Sequence, residues 1–235
     1  MSTDNQWCFR PSNGRTVIHV LRVGDYEPEV CRFTLPSIER YAAKIGATVN
    51  VLTDRRFPEW PLHYEKMQVY DAGAENEWNI YLDADAMIHP DMFDLTRVRV
   101  CRHMPDEAVP RNAVGMHYGY EQNLADDKFF RRYAASTLRG MTAFLVVANN
   151  LCHDVWTPLE LNPAEVESFL FNYRHVDEYC LSRNMCRFGL RNYHVFPELH
   201  MAHLIRHLIH YDFTPDEKAK RLREAQRLSE EWFDD

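Results

Sequence analysis

The chain has 235 residues, of which 46% are hydrophobic, and its formal net charge is −8. This length and composition suit one large globular domain, and the acidic balance argues against a general binder of nucleic acids or anionic membranes. No apolar run approaches the about 20 residues that a membrane span needs, and the N-terminal stretch is too polar for a signal peptide. We therefore expect a soluble, cytoplasmic protein.

Runs of β-forming residues alternate with helical patterns in the N-terminal part of the chain. The expected strands are VIHVLRV (17–23), TVNVLTD (48–54) and WNIYLDAD (78–85). Between the first two, apolar residues recur on one helical face and Gly46 follows as a C-terminal cap; they are Leu35, Ile38, Tyr41, Ala42 and Ile45. EKMQVYDAG (65–73) predicts a second helix. This alternation predicts an α/β domain around a mainly parallel sheet flanked by helices.

The second half of the chain gives fewer clear elements. AVGMHYGY (113–120) and MTAFLVVAN (141–149) predict strands, Asn162 followed by Pro163 predicts a helix start, and DEYCLSRNMCRFG (177–189) predicts a helix that ends at Gly189. A charged helix opens at Thr214. Its Lys and Arg residues are expected to form a solvated face opposite an apolar stripe.

We expect one domain over residues 1–235, because no linker or repeat interrupts the chain. Within it we expect an N-terminal half over about 15–95, a second half over about 96–213 and a C-terminal helix over about 214–233.

Asp83 and Asp85 follow the third expected strand with one alanine between them. Ligands of open α/β sheets bind at the carboxyl ends of the strands. Two carboxylates on the same side of an extended segment repel each other unless a cation lies between them or one stays protonated. A divalent ion such as Mn²⁺ or Mg²⁺, which also takes phosphate oxygens, would relieve this repulsion. The alternative is that both residues are turn or cap residues at a strand end.

The segment YEKMQVYDAGAENEWNIYLDADAMIHPDMFDL resembles the DxD region of glycosyltransferases with the GT-A fold. The similarity is to the retaining families known as eight, the group of glycogenin and bacterial galactosyltransferases, and thirty-four. It extends more loosely to MTAFLVVANNLCHDVW, to HVDEYCLSRNM and to HLIHYDF near the C-terminus. The resemblance implies a GT-A fold, in which residues of about 15–95 would form the nucleotide-binding half and residues of about 96–213 the acceptor-side half. It also implies a metal-dependent transfer of a sugar, with retention, from a nucleoside-diphosphate sugar (UDP-hexose is expected) to a hydroxyl of a saccharide or glycoconjugate.

The resemblance also implies residue roles. Asp83, Asp85 and His210 would hold Mn²⁺ or Mg²⁺, and Asp177 and Glu178 would lie beside the sugar at the reaction centre. The donor nucleotide would be bound by Leu21, Arg22, Val23, Thr53 and Ala84, with Lys66 neutralising its diphosphate. The chain departs from the family where no Lys-Pro-Trp follows His210 and where Glu178 replaces a glutamine.

Histidines recur at helical spacing in LHMAHLIRHLIHYDF, which predicts a helix with His200, His203, His207 and His210 on one stripe. A polar helix face explains His200 and His203 without a ligand role. His210 is the expected metal ligand, and His207 is the alternative.

Three other functions remain open from the sequence. Phosphatases of the haloacid-dehalogenase type carry DxD after a strand, which would make Asp83 a nucleophile. They have Thr or Val where this chain has Met87, and they carry the motif on the first strand. Nucleotidyltransferases have a related fold but a Gly-rich basic first loop, which this chain lacks. The last alternative is a non-catalytic subunit that binds a sugar nucleotide.

Overall fold

The computed structural model describes residues 12–24, 26–97, 113–118, 141–170, 173–195, 203–208 and 214–233. The strands are β1 (Thr16–Leu21), β2 (Thr48–Leu52), β3 (Trp78–Asp83), β4 (Ala86–Ile88), β5 (Ala113–Tyr118), β6 (Met141–Asn149), β7 (Arg191–His194) and β8 (Ile205–His207). The α-helices are α1 (Pro28–Ile45), α2 (Val69–Ala72), α3 (Pro163–Phe169), α4 (Val176–Phe188) and α5 (Pro215–Phe233). In the part of the chain that is described, 3₁₀ segments cover Leu62–Gln68, Leu95–Arg97, Asn150–Trp156 and Tyr173–His175.

The main sheet has six strands in the order β2-β1-β3-β6-β5-β7. Strands β1, β2 and β3 pair in parallel, β5 pairs in parallel with β7, and only β6 runs antiparallel to its neighbours. The expected mainly parallel α/β sheet is therefore confirmed. A separate antiparallel pair, β4 with β8, lies beside it.

The carboxyl ends of the first three strands lie at one edge of the main sheet. Leu21 is opposite both Leu52 of β2 and Asp83 of β3, so these strands end at the same level. Ile18, Ile80 and their neighbours are fully buried, as expected for strands covered on both faces. This register brings the ends of β1 and β2 beside the aspartate pair.

The predicted first helix and its cap are confirmed by α1. Ile38 and Tyr41 lie on its buried face, and Gly46 adopts φ 71°, the left-handed conformation that lets its N–H bond the carbonyls of Ala42 and Ala43. The helix begins earlier than the apolar pattern suggests, at Pro28. The predicted cap by Asn162 is also confirmed, because its side chain accepts a hydrogen bond from the N–H of Ala164.

Two predicted helices take other forms. Residues 65–73 fall on a 3₁₀ segment followed by the single turn of α2. The helix predicted for the histidine stripe is wrong, because Ile205–His207 form the short strand β8 paired with Ala86–Ile88. This pairing joins segments far apart in the chain, so the local spacing of the histidines does not reveal it. His200 and His210 lie outside the described residues.

The C-terminal helix α5 packs against α1 and β4. Ala225 and Leu228 contribute to a cluster with Val30, Met87 and Leu208. The expected solvated face is wrong for Arg221, whose guanidinium is buried on the side that faces the domain. Among the described residues, none of the helices combines the length and apolarity that a membrane crossing requires.

Candidate active site

Asp83, Asp85 and His207 bring one ligand atom each to within 4.8 Å of one another. Asp83 is the last residue of β3, Asp85 lies in the link to β4, and His207 ends β8. The pairing of β4 with β8 places Ala86 opposite His207, and the N–H of Leu208 bonds the carbonyl oxygen of Asp85 at 3.0 Å. The small second sheet therefore delivers the histidine to the aspartate pair.

Asp83 has one carboxylate oxygen held by the protein and one that faces the cluster. Its Oδ1 accepts hydrogen bonds from the Tyr81 hydroxyl at 2.7 Å and from the Lys66 ammonium at 3.2 Å. Its Oδ2 lies 3.4 Å from Nε2 of His207. Burial acts to raise the pKa of Asp83, but Lys66 and His207 outweigh it and hold the pKa well below its usual range. Asp83 is therefore a carboxylate at neutral pH.

Asp85 has the same arrangement. Its Oδ2 accepts hydrogen bonds from Nη2 of Arg221 at 2.7 Å and from the Tyr26 hydroxyl at 3.1 Å, whereas its Oδ1 lies 3.2 Å from Nε2 of His207. Each aspartate is thus supported by one cation and one tyrosine. Burial raises the pKa values of Tyr26 and Tyr81 well above their ordinary value, so both hydroxyls remain donors.

His207 points its Nε2 between the two carboxylates, and its ring stacks on Phe144 with the ring centres 4.5 Å apart. Burial lowers the pKa of His207, but the hydrogen bonds to Asp83 and Asp85 outweigh it and raise the pKa to about 9. A positive charge is therefore favourable at this position. Two carboxylate oxygens and one imidazole nitrogen form a donor set that a divalent ion such as Mn²⁺ accepts.

Lys66 connects the aspartate pair to α4. Its buried ammonium lies 2.8 Å from Oδ2 of Asp177, 3.2 Å from Asp83 and 3.1 Å from the carbonyl of Ala143. Burial lowers the pKa of Lys66, but Asp177 and Asp83 outweigh this and raise it, and Lys66 in turn lowers the pKa of Asp177 against the effect of burial. The three acceptors match the three donors of an ammonium. Lys66 therefore links Asp83, at the end of β3, to Asp177 on α4.

Asp177 and Glu178, in the first turn of α4, have different surroundings. Asp177 is buried against Lys66, whereas Glu178 is partly exposed and its Oε2 lies 3.4 Å from Nδ1 of His175. The hydrogen bond to Glu178 raises the pKa of His175. Of the two acids, only Asp177 is linked to the aspartate pair through the contacts described here.

The residues expected to bind the nucleotide lie at the edge where the strands end. Leu21 and Val23 are buried, Arg22 is half-buried with its N–H bonded to the carbonyl of Leu52, and Thr53 is exposed. Ala84 is packed in the core, and its carbonyl accepts a hydrogen bond from Thr34. Thr53 and Arg22 are thus the expected nucleotide contacts with solvent access.

Tyr26, Tyr81 and Arg221 contact the aspartate pair but are not among the site residues expected from the sequence. Tyr81 could have been found, because it lies two positions before Asp83 on a strand and so projects to the same side. Tyr26 and Arg221 carry no such local signal. His207 lies in the cluster, and the role expected for His210 stays a prediction.

Comparison with solved structures identifies the fold. One match is the crystal structure of a glycosyltransferase involved in glycosylation of the major capsid of PBCV-1, with a TM-score of 0.58, 14% sequence identity and coverage of 91% of this chain and 99% of that chain. Another is the galactosyltransferase LgtC in complex with donor and acceptor sugar analogs, with a TM-score of 0.50, 10% identity and coverage of 93% and 96%. No protein-family model and no curated protein sequence matches the chain significantly. The expected GT-A fold is confirmed by these structures.

Proposed function

We propose that this protein is a metal-dependent glycosyltransferase that moves a hexose from a nucleoside diphosphate, UDP in the first instance, to a hydroxyl of a saccharide or glycoconjugate. The observation that carries the proposal is the cluster of Asp83, Asp85 and His207 at the carboxyl end of β3 in a GT-A fold. A galactosyltransferase with this fold is described with donor and acceptor sugar analogs, which supports the same pair of substrates here.

The donor set of this cluster fits the metal that the proposal requires. Carboxylate oxygens suit Mg²⁺ and Mn²⁺, and the imidazole nitrogen favours Mn²⁺ of the two. When bound, such an ion offsets the negative charge that develops on the departing nucleoside diphosphate. The free oxygens Oδ2 of Asp83 and Oδ1 of Asp85, with Nε2 of His207, would hold it.

The protein's own residues would divide the remaining work. Leu21, Arg22, Val23 and Thr53 would bind the base and ribose at the ends of β1 and β2. Lys66 keeps Asp83 and Asp177 ionised and fixed in relation to each other. Asp177 would orient the donor sugar or stabilise positive charge on it, which is the role of a carboxylate if the transfer proceeds with retention.

Glu178 would act at the acceptor side. It is the more exposed acid of the pair, and its contact with His175 lies outside the buried cluster. If the transfer instead inverted the sugar, one of these acids would have to serve as general base for the acceptor hydroxyl. The anomeric configuration of the product distinguishes the two courses.

The test is calorimetric titration of UDP and then of a panel of UDP- and GDP-sugars, in Mn²⁺ and in EDTA. We expect nucleotide binding that requires Mn²⁺, is lost in Asp85→Asn and is retained in Asp91→Asn, an exposed control. Hydrolysis or transfer of the bound sugar would then identify an enzyme, and metal-dependent binding without turnover a binding subunit. Absence of nucleotide binding together with cleavage of a phosphate ester would contradict the proposal in favour of the phosphatase alternative.

A further inference from the structure

Arg221 is the one residue of α5 whose charge is directed into the cluster among the described residues. Its side chain is 4% exposed, whereas Arg223 and Arg227 of the same helix are exposed. Taking a guanidinium out of water is costly unless good partners surround it. The burial of Arg221 therefore depends on its contacts with Asp85 and with the carbonyl of Leu208.

The guanidinium of Arg221 connects the two chain segments that supply the metal-binding residues. Its Nη2 donates to Oδ2 of Asp85 at 2.7 Å, and its Nε donates to the carbonyl of Leu208, the residue after His207. The N–H of Leu208 in turn bonds the carbonyl of Asp85 at 3.0 Å. One planar side chain thus holds the carboxylate of Asp85 and the backbone that carries His207.

Glu27 lies on the far side of Arg221, at ion-pair distance and not hydrogen-bonded to it. Its Oε1 lies 3.5 Å from Nη1 of Arg221 and 3.9 Å from Nζ of Lys218. Glu27 adopts φ 40°, which is unfavourable for a residue with a side chain and is found here just before α1. The residue in this strained conformation is thus the one that faces Arg221.

We propose that Arg221 is a positioning residue for the metal ligands of the transferase proposed above, on which this inference rests. By occupying Oδ2 of Asp85 it leaves Oδ1 directed towards Asp83 and His207, so Asp85 offers a single oxygen to the ion. Its second bond keeps the end of β8, and with it His207, at a fixed distance from Asp85. A lysine could not make both bonds in this geometry, because it lacks the rigid fork of the guanidinium.

The test uses Mn²⁺ alone as the probe, with the full chain and the variants Arg221→Met, Arg221→Lys and Arg223→Met. We expect Arg221→Met to weaken Mn²⁺ binding by about tenfold or more, as loss of a hydrogen-bonding partner behind a metal ligand typically does. The affinity of Arg221→Lys for Mn²⁺ should lie between those of Arg221→Met and the wild type. Arg223→Met, on the exposed side of the same helix, should bind as the wild type does.

A readout that a purely structural role would not change is the electron paramagnetic resonance spectrum of bound Mn²⁺. We expect a changed spectrum at saturation in Arg221→Met, because the Tyr26 hydroxyl alone then holds Oδ2 of Asp85 and the carboxylate is less firmly oriented. If that variant does not fold, Tyr26→Phe removes the other donor to Oδ2 of Asp85 with little change of shape, and it should alter the spectrum in the same sense.

The outcomes separate this inference from the proposed function. Wild-type protein that binds no Mn²⁺ would overturn both. If the wild type binds Mn²⁺ and Arg221→Met binds it as tightly or more tightly, with an unchanged spectrum, the inference alone would be overturned. Arg221 would then be only a charge near the site. Parallel loss of thermal stability and affinity with an unchanged spectrum at saturation would also overturn it.

Discussion

Lys66 and Asp177 form a buried ion pair, with Nζ and Oδ2 2.8 Å apart, although they belong to different elements far apart in the chain. The same ammonium contacts Asp83, so it joins the first turn of α4 to the end of β3. A cation shared by the buried Asp177 and the partly exposed Asp83 fixes the separation of their carboxylates. It therefore sets the distance between the candidate metal cluster and the candidate catalytic acid.

We predict that Lys66→Met destabilises the protein by about 3–5 kcal/mol, because it leaves Asp177 buried without its cation and removes a cation from the partly exposed Asp83. The free energy of unfolding in urea measures this. The double variant Lys66→Met/Asp177→Asn should recover part of the loss, since it removes one of the stranded charges. Lys220→Met, which changes an exposed lysine on α5, should alter stability by less than about 0.5 kcal/mol. A Lys66→Met variant as stable as the wild type would contradict the buried pair.

The third metal ligand can be assigned by comparing two histidines. We predict that His207→Ala weakens Mn²⁺ binding by about tenfold or more, because Nε2 of His207 lies between the two aspartates. His203→Ala, at an exposed position of the same segment, is the matched control. Titration of Mn²⁺ into both variants and into His210→Ala gives the answer. If Mn²⁺ binding is lost in His210→Ala alone, the third metal ligand is His210, as the family resemblance implies.

The two acids of α4 should differ in their kinetic effects. We predict that Asp177→Asn lowers kcat for sugar transfer by about 100-fold or more, whereas Glu178→Gln has a smaller effect, because only Asp177 is joined to the aspartate pair through Lys66. Steady-state kinetics with the donor found by calorimetry measure both. Glu160→Gln, an exposed acid paired with Arg187, is the control. A larger loss in Glu178→Gln would reverse the assignment.

Much of the fold could be predicted because its signals are local. Strands β1, β3 and β6 are rich in β-forming residues, and α1 and α4 end at glycines in the left-handed conformation. Asp83 and Asp85 are also visible in sequence, as two carboxylates with one residue between them where a strand ends.

The remainder depends on pairing between distant segments. Strand β8 has only three residues, and its register with β4 is set by backbone bonds that no side-chain pattern records. Arg221 lies on a helix rich in charged residues. In the sequence, this buried arginine cannot be distinguished from the exposed arginines of the same helix. The family resemblance assigns Lys66 to the diphosphate of the donor. Its contacts to Asp83 and Asp177 depend on the tertiary packing of three elements and cannot be read from the sequence.

Gly73 is a position where a methyl group has no room. A Cβ built there would lie 2.3 Å from Oδ1 of Asn79, whose amide nitrogen donates to the carbonyl of Gly73 itself. We predict that Gly73→Ala destabilises the protein by about 1–3 kcal/mol through this overlap. In an Asn79→Ala background the same change should cost much less, because the obstructing side chain is gone. Equal costs in the two backgrounds, measured by urea unfolding, would contradict the contact.

His19 should make the stability of this protein depend on pH. Its Nε2 donates to Oδ1 of Asn79 at 2.9 Å, and its Nδ1 lies 3.1 Å from Nδ2 of Asn50, an arrangement that suits a neutral ring. Burial lowers the pKa of His19 to about 4. The unfolded chain, with an ordinary pKa of about 6.5, therefore binds this proton first as the pH falls.

The stability contributed by the neutral ring is present above pH 6.5 and is lost as the pH falls towards 4. Between pH 7 and pH 5 we expect a loss of about 2 kcal/mol from this residue. His207 adds little slope near pH 5, because its raised pKa keeps it protonated in the folded state and the unfolded imidazole, with a pKa of about 6.5, is by then protonated as well. Urea unfolding at both pH values should therefore show a flatter dependence in His19→Asn, even if that variant is less stable at pH 7. An unchanged slope would mean that His19 is not the residue that titrates.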